Sequence, residues 1–271
     1  MSFSAHCSEV ERLTRLLASG TAAALGAIPW ASPVLAFGRV REAVVASLGL
    51  NPSNLEFVGA DGKPLRSPEN RFETLKTLGL RNWASASAGD AARITSACDS
   101  YFMRRPYDAW FKRLNKVLVG TGASYYDEWS PACHLDLVPF ATAVKWSALD
   151  GANRGQLLRL GAPTLVTLLL TTRIRVLVLN GASVVRAFGE LAGQGLASDE
   201  RKDWTLSRSG SVGVTGLAYF GVVSTLAGVS LDRELLVLGF NHNIQSSYGV
   251  TNEVVDRIGN WIANASAEVL K

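Results

Sequence analysis

The sequence is poor in the residues that build metal centres and oxidised scaffolds. It carries only three cysteines, Cys7, Cys98 and Cys133, and three histidines, His6, His134 and His242, in 271 residues. An odd, widely spaced cysteine set excludes a disulfide framework and a four-thiolate metal or iron–sulfur site within the chain, and fits a reducing, cytoplasmic compartment. The histidines have no metal-ligand spacing to one another or to Cys133, so no metal is expected. Long apolar runs are also missing. Residues 16–37 are rich in Leu and Ala, but Pro29 and Pro33 break them, and Glu9 and Glu11 stand where a signal peptide would be basic. Residues 162–172 are too short to span a bilayer and run straight into Arg173 and Arg175. Neither stretch reads as a membrane segment.

Lysine is scarce, at 7 against 20 arginines, and no basic run occurs. The planar fork of Arg suits phosphate, although GC-rich codon usage gives the same bias. A net charge of +4 therefore permits a nucleic-acid partner without demanding one. Several chemical motifs are absent too. Gly120-Thr-Gly122 lacks a third glycine and follows a helical pattern rather than a strand, so it is no dinucleotide fingerprint. No phosphate-loop pattern occurs. Gly181-Ala-Ser183 lacks the second glycine of a nucleophile elbow.

What is present is a core and an order of elements. Hydrophobic residues make up 48% and charged residues 18%, which suits a sizeable core and excludes a disordered chain. Helical spacing opens at Ser8 and stops at Gly26 and Pro29. Apolar runs at 43–48, 134–138, 175–180 and 234–240 read as buried strands. Residues 58–68 read as a turn-rich loop, and 203–223 as one or two edge strands or a hairpin. Helices are expected at about 69–79, 90–103, 107–119 and 153–170, from Ser183, and from about 251. Strands alternating with helices predict a three-layer α/β/α fold with a central, mostly parallel sheet. No repeat or linker interrupts residues 1–271, which are read as one domain.

In such sheets ligands sit beyond the carboxyl ends of the strands. The polar residues there are Asn51 and Ser53, Asp136, Asn180, and His242 with Asn243. Together they describe an amide-and-imidazole site. Asn51 can hold a water, His242 can stabilise an anion, and Asp136 can accept, or donate if burial raises its pKa. Singly, each has a plainer structural role: a turn residue, a packed histidine, a cap.

Gly49-Leu-Asn51-Pro52-Ser53-Asn54 at a strand end resembles the first motif of the uracil-DNA glycosylase superfamily. His134-Leu-Asp136-Leu-Val-Pro-Phe140-Ala-Thr142 resembles its base-reading strand, 175–182 the next strand, and Phe240-Asn-His242-Asn243-Ile-Gln245-Ser246-Ser247 its His-Pro-Ser loop. The likeness runs in order over about residues 40–262, closest to an atypical bacterial branch of rhizobial type. It departs at Asn51, where the best-known branch has Asp, at Ser53, where that branch has a bulky Tyr, and in the absence of Pro after His242. The resemblance implies a monofunctional glycosylase that hydrolyses the N-glycosidic bond of deoxyuridine and leaves an abasic site. It implies Asn51 placing the water, His242 or Asn243 stabilising the leaving base, and Phe72 stacking on a flipped base. It further implies Asp136 reading the base edge, Ser53 leaving room for a 5-substituent, and Pro52, Gln245, Ser246 and Ser247 meeting DNA. The expected partner is uracil-containing DNA, with no cofactor, no membrane and a monomeric state. A weakly catalytic module for abasic or damaged DNA, and a serine hydrolase using Ser183 or Ser53 with His242, are the alternatives.

Overall fold

The computed structural model describes residues 2–208, 211–245 and 249–271. Contacts divide the chain into two compact units. The first comprises Met1–Arg41, Leu50–Pro106 and Leu135–Thr172, and the second Glu42–Gly49, Tyr107–His134 and Arg173–Lys271.

Helices α1 (Ser2–Ala18), α2 (Thr21–Ala24), α3 (Leu75–Leu78) and α4 (Ala88–Asp99) belong to the first unit. Val10, Leu13 and Leu17 recur at helical spacing and bury one face of α1. A capping box between Ser87 and Asp90 opens α4, and another between Thr74 and Thr77 opens α3. The expected 69–79 helix shrinks to α3, because Thr74 is extended and pairs with Ala31 while Phe72 turns into the core.

Strand β1 (Val45–Gly49) and helix α5 (Asp108–Leu118) belong to the second unit, and β2 (Ala132–Asp136) passes from it into the first. Helix α6 (Gly151–Thr171) returns to the first unit, capped by Asp150 and carrying Pro163 inside. It presses on the chain after β2 so closely that a Cβ on Gly161 would stand 2.1 Å from the Leu137 carbonyl oxygen. Only glycine fits there.

The rest of the second unit is β3 (Val176–Asn180), α7 (Ala182–Ala192), β4 (Ala197–Arg208), β5 (Ser211–Leu226), β6 (Val229–Phe240) and α8 (Asn252–Ser266). The six strands form one sheet in the order β2-β1-β3-β6-β5-β4. β1–β3 and β3–β6 are parallel, whereas β6–β5 and β5–β4 are antiparallel hairpins. β1, built largely of small residues, and β3, built of valine and leucine, are buried almost throughout, as central parallel strands must be. β4 is the outer edge and carries Asp199, Glu200, Arg201, Lys202 and Asp203.

Strand phase places the helices. A Cβ on Gly239 would meet Val185 of α7 at 3.0 Å, so α7 covers that face. Ala218 pairs with Phe240, one residue out of phase, and Gly216 shares the face of Ala218. Gly216 lies against Trp204, whose ring meets Trp261 of α8 edge-on at 5.5 Å. Helices therefore cover both faces of this sheet, the α/β/α layering expected from the sequence. The centre of the sheet is parallel, and the region expected to hold a short hairpin is a long three-stranded antiparallel flank.

Candidate functional site

In the first unit, Asn51 lies two residues beyond β1. Its Nδ2 donates to the Pro52 carbonyl at 3.0 Å, to Thr142 Oγ1 at 3.1 Å and to the Phe140 carbonyl at 3.4 Å. Thr142 gives its own proton to the Val144 carbonyl at 2.8 Å, so it can only accept from Asn51. These acceptors fix the sense of the amide. Oδ1 is left to accept a hydrogen bond from a water or ligand. Thr142 is the residue that sequence reading passed over here; it lay in the segment already aligned with the base-reading strand.

Ser53 accepts from the Leu55 N–H at 3.2 Å and caps the short 3₁₀ turn Asn54–Glu56. Glu56 ends that turn, buried at 3% exposure. Tyr101 donates its hydroxyl to Glu56 Oε2 at 2.8 Å, and Arg71 Nε lies 3.8 Å from the same oxygen. Arg71 also holds the Leu55 carbonyl through Nη1 at 2.6 Å. Burial pushes the Glu56 carboxyl up to about 7, and the charge of Asp136 adds to this, while Tyr101 and Arg71 oppose it. Asp136, at the end of β2, is itself buried. In sequence, Glu56 looks like an ordinary loop acid.

Phe72 does not offer a stacking face. It is 1% exposed and stacks against Tyr101 at 5.1 Å and Phe57 at 5.7 Å, with Phe37 edge-on at 5.3 Å. Four rings pack as one cluster, and the expected base-stacking role is replaced by a core role.

In the second unit, β1, β3 and β6 run the same way, so Gly49, Asn180 and Phe240 end on one edge of the sheet. Asn241 is spent on β5, donating to the Thr215 carbonyl at 2.7 Å and accepting from the Leu217 N–H at 2.9 Å. His242 is buried, and its Nε2 lies 2.7 Å from the Trp204 carbonyl oxygen. A carbonyl only accepts, so Nε2 carries the proton. Burial lowers the His242 pKa, against the pull of that hydrogen bond, and the neutral ring presents Nδ1 as an acceptor. In this form His242 cannot donate to an anion, contrary to the role expected of it.

Asn243 is exposed and accepts from the Gln245 N–H at 3.2 Å. Asn180 Nδ2 donates to Gln245 Oε1 at 3.3 Å. Asn180 Oδ1 and Gln245 Nε2 are buried without a hydrogen-bond partner. Gly181 follows with φ 98°, a turn conformation that glycine alone adopts easily. Ser246 and Ser247 lie outside the described residues.

Neither serine considered as a nucleophile meets an imidazole. Ser53 is a cap, and Ser183 is exposed on the first turn of α7. Among the described residues Ser47 does meet one, its Oγ 2.5 Å from both His134 Nδ1 and the Tyr125 hydroxyl. Ser47 is 0% exposed, out of reach of any substrate. Among the described residues, no group of three His, Cys, Asp or Glu could hold a metal ion, and no helix is long and apolar enough to cross a membrane.

No protein-family model matches this chain, and no curated protein matches its sequence.

Proposed function

We propose that this chain is a monofunctional DNA glycosylase of the uracil-DNA glycosylase superfamily, acting on deoxyuridine. One observation carries the reading: the Asn51 amide, in a Gly-Leu-Asn-Pro-Ser turn after β1, is held by its nitrogen and leaves Oδ1 to accept from a water. A carbonyl oxygen so placed orients a nucleophilic water without deprotonating it. That suits a reaction in which the C1′–N1 bond breaks first, its electron pair leaves with the base, and water then adds to C1′ and releases a proton to solvent. Holding the nucleophile in place contributes to such catalysis by making its attack effectively unimolecular. Asp136, buried beside Glu56, supplies a polar group for the base edge. Arginines and the backbone N–H groups beyond Pro52 suit phosphate. The test is incubation with a duplex carrying one uracil, followed by alkali. Strand scission at that position is expected, and an intact strand overturns the reading.

A second reading is favoured by His242, whose proton is spent on the Trp204 carbonyl. A site without that donor would bind damaged or abasic DNA and turn over poorly. A burst of one product per enzyme, with no steady phase, would select it.

A further inference from the structure

Trp129 is the most exposed of the large hydrophobic side chains among the described residues, at 94%. Tryptophan is ordinarily well buried. This one stands on a loop of the second unit, between α5 and β2, that is tied down on all sides. Asp127 Oδ1 accepts from the Trp129 N–H at 2.7 Å and from the Ser130 N–H at 2.8 Å. Ser124 closes the loop, its N–H donating to the Ser130 carbonyl at 3.1 Å and its carbonyl accepting from the Ala132 N–H at 2.8 Å. Asn115 Oδ1 of α5 accepts from Ser124 Oγ at 3.1 Å and from the Tyr125 N–H at 2.9 Å, and the Tyr126 hydroxyl donates to Asp108 Oδ1 at 2.8 Å. The indole is thus held outward, its ordering cost already met, as in a preorganised anchor. Asp127 and Glu128 make the tip acidic, and no Lys or Arg occurs from 117 to 144. These acids repel phosphate, which argues against nucleic acid or an anionic membrane at the tip and for a basic surface.

Such a surface lies on the neighbouring flank of α5. An open groove of about 700 Å³, between α5 and the start of α8, is lined by Lys112, Arg113 and Lys116 with Asp108, Val250 and Asn252. Lys112 pairs with Asp108 at 2.8 Å, Arg113 holds the Val250 carbonyl, and Lys116 Nζ reaches Asn252 Oδ1 at 3.4 Å. Three cations face one carboxylate, so the groove is basic where the tip is acidic. We propose that the tip of a second copy of this chain fills the groove, with Trp129 laid on the Lys112 and Lys116 side chains and Glu128 meeting Lys116. Lysine stems offer apolar surface to an indole, and their ammonium groups are drawn to its face. Tip and groove flank the same helix, so one two-fold axis beside α5 satisfies both contacts at once and closes the assembly as a dimer. The dimer replaces the monomer expected from sequence and does not depend on the glycosylase reading.

Sedimentation velocity on the full chain tests this. Wild type should show a species of twice the chain mass that grows with protein concentration and recedes with added salt. Trp129→Ala, Glu128→Lys and Lys116→Glu should each weaken association by about tenfold or more. Their melting temperatures should stay near that of wild type, because exposed side chains leave little packing to lose. The decisive sample is an equimolar mixture of Glu128→Lys and Lys116→Glu. Each alone sets like charges against each other at both contacts. In the mixture the reversed tip of one meets the reversed groove of the other, the second contact is that of wild type, and the dimer should return. A wild type that keeps the mass of one chain at the highest concentration reached overturns the proposal, as does self-association that all three variants leave unchanged, or a mixture that stays monomeric. Loss of duplex-DNA affinity in Lys116→Glu, with self-association intact, would overturn it too and give the groove to phosphate.

Discussion

At the scale of single residues, the chemistry turns on which atom of a side chain is already committed. Asn51→Ala removes the oriented oxygen, and single-turnover excision should fall by at least tenfold, about 1.4 kcal/mol, with the fold intact. Thr142→Val keeps Asn51 but removes the acceptor that fixes its amide. Its excision rate should fall less than that of Asn51→Ala, and an unchanged rate would take Thr142 out of the orienting network. Glu56 carries a pH signature of its own. Its carboxyl rises from 4.5 to about 7 on folding, chiefly through burial. Between those values the folded chain keeps a proton that the unfolded chain releases. The stabilisation is therefore complete below the unfolded pKa and is lost as pH climbs through about 7. Chemical denaturation at pH 5 and pH 8 should show wild type weaker at the higher pH by on the order of 3 kcal/mol. Glu56→Gln should flatten that difference; an equally steep profile in the variant would move the titration to another group.

At the scale of elements, local pattern and long-range packing divide what could be read from the sequence. Strands β1, β2 and β3 were legible because short runs of apolar residues, ended by Gly-Leu-Asn-Pro, by Pro139 and by Asn-Gly, leave few other readings. Phe72, Leu75 and Leu78 have the spacing of a 69–79 helix, whereas the ring cluster around Phe72 pulls the first of them out of it. The strand ends named Asn51, Asp136, Asn180 and His242 as candidates, but not which of their atoms are free. That depends on partners far along the chain, such as Trp204 for His242 and Thr142 for Asn51. The close seat of α6 on Leu137 gives an element-scale test. Gly161→Ala should destabilise the protein by roughly 1–3 kcal/mol, because a Cβ there forces the helix off the backbone beneath it. An unchanged melting temperature would mean that α6 can lift without loss.

At the scale of the whole molecule, a net charge of +4 with scattered arginines predicts DNA binding that weakens with added salt through a small number of phosphate contacts. A plot of log affinity against log salt should slope gently downward, and a flat line would argue against duplex binding. The last strand of the sheet has a different bearing. β4 pairs with a neighbouring strand on one side only, and its Asp203 and Trp204 carbonyls are taken by Arg257 and His242; the rest of such a margin is where a foreign strand can be laid. Its run from Asp199 to Asp203, exposed apart from half-buried Arg201, mixes both signs of charge, tied through Arg201 to Asp199 at 3.9 Å and to Asp203 at 3.6 Å. An incoming strand would have to strip water from these ions and break their pairing, and the ladder is already irregular between Arg201 and Leu206. Templated addition at this margin is thereby opposed at its first step, where a smooth, uncharged margin would favour it.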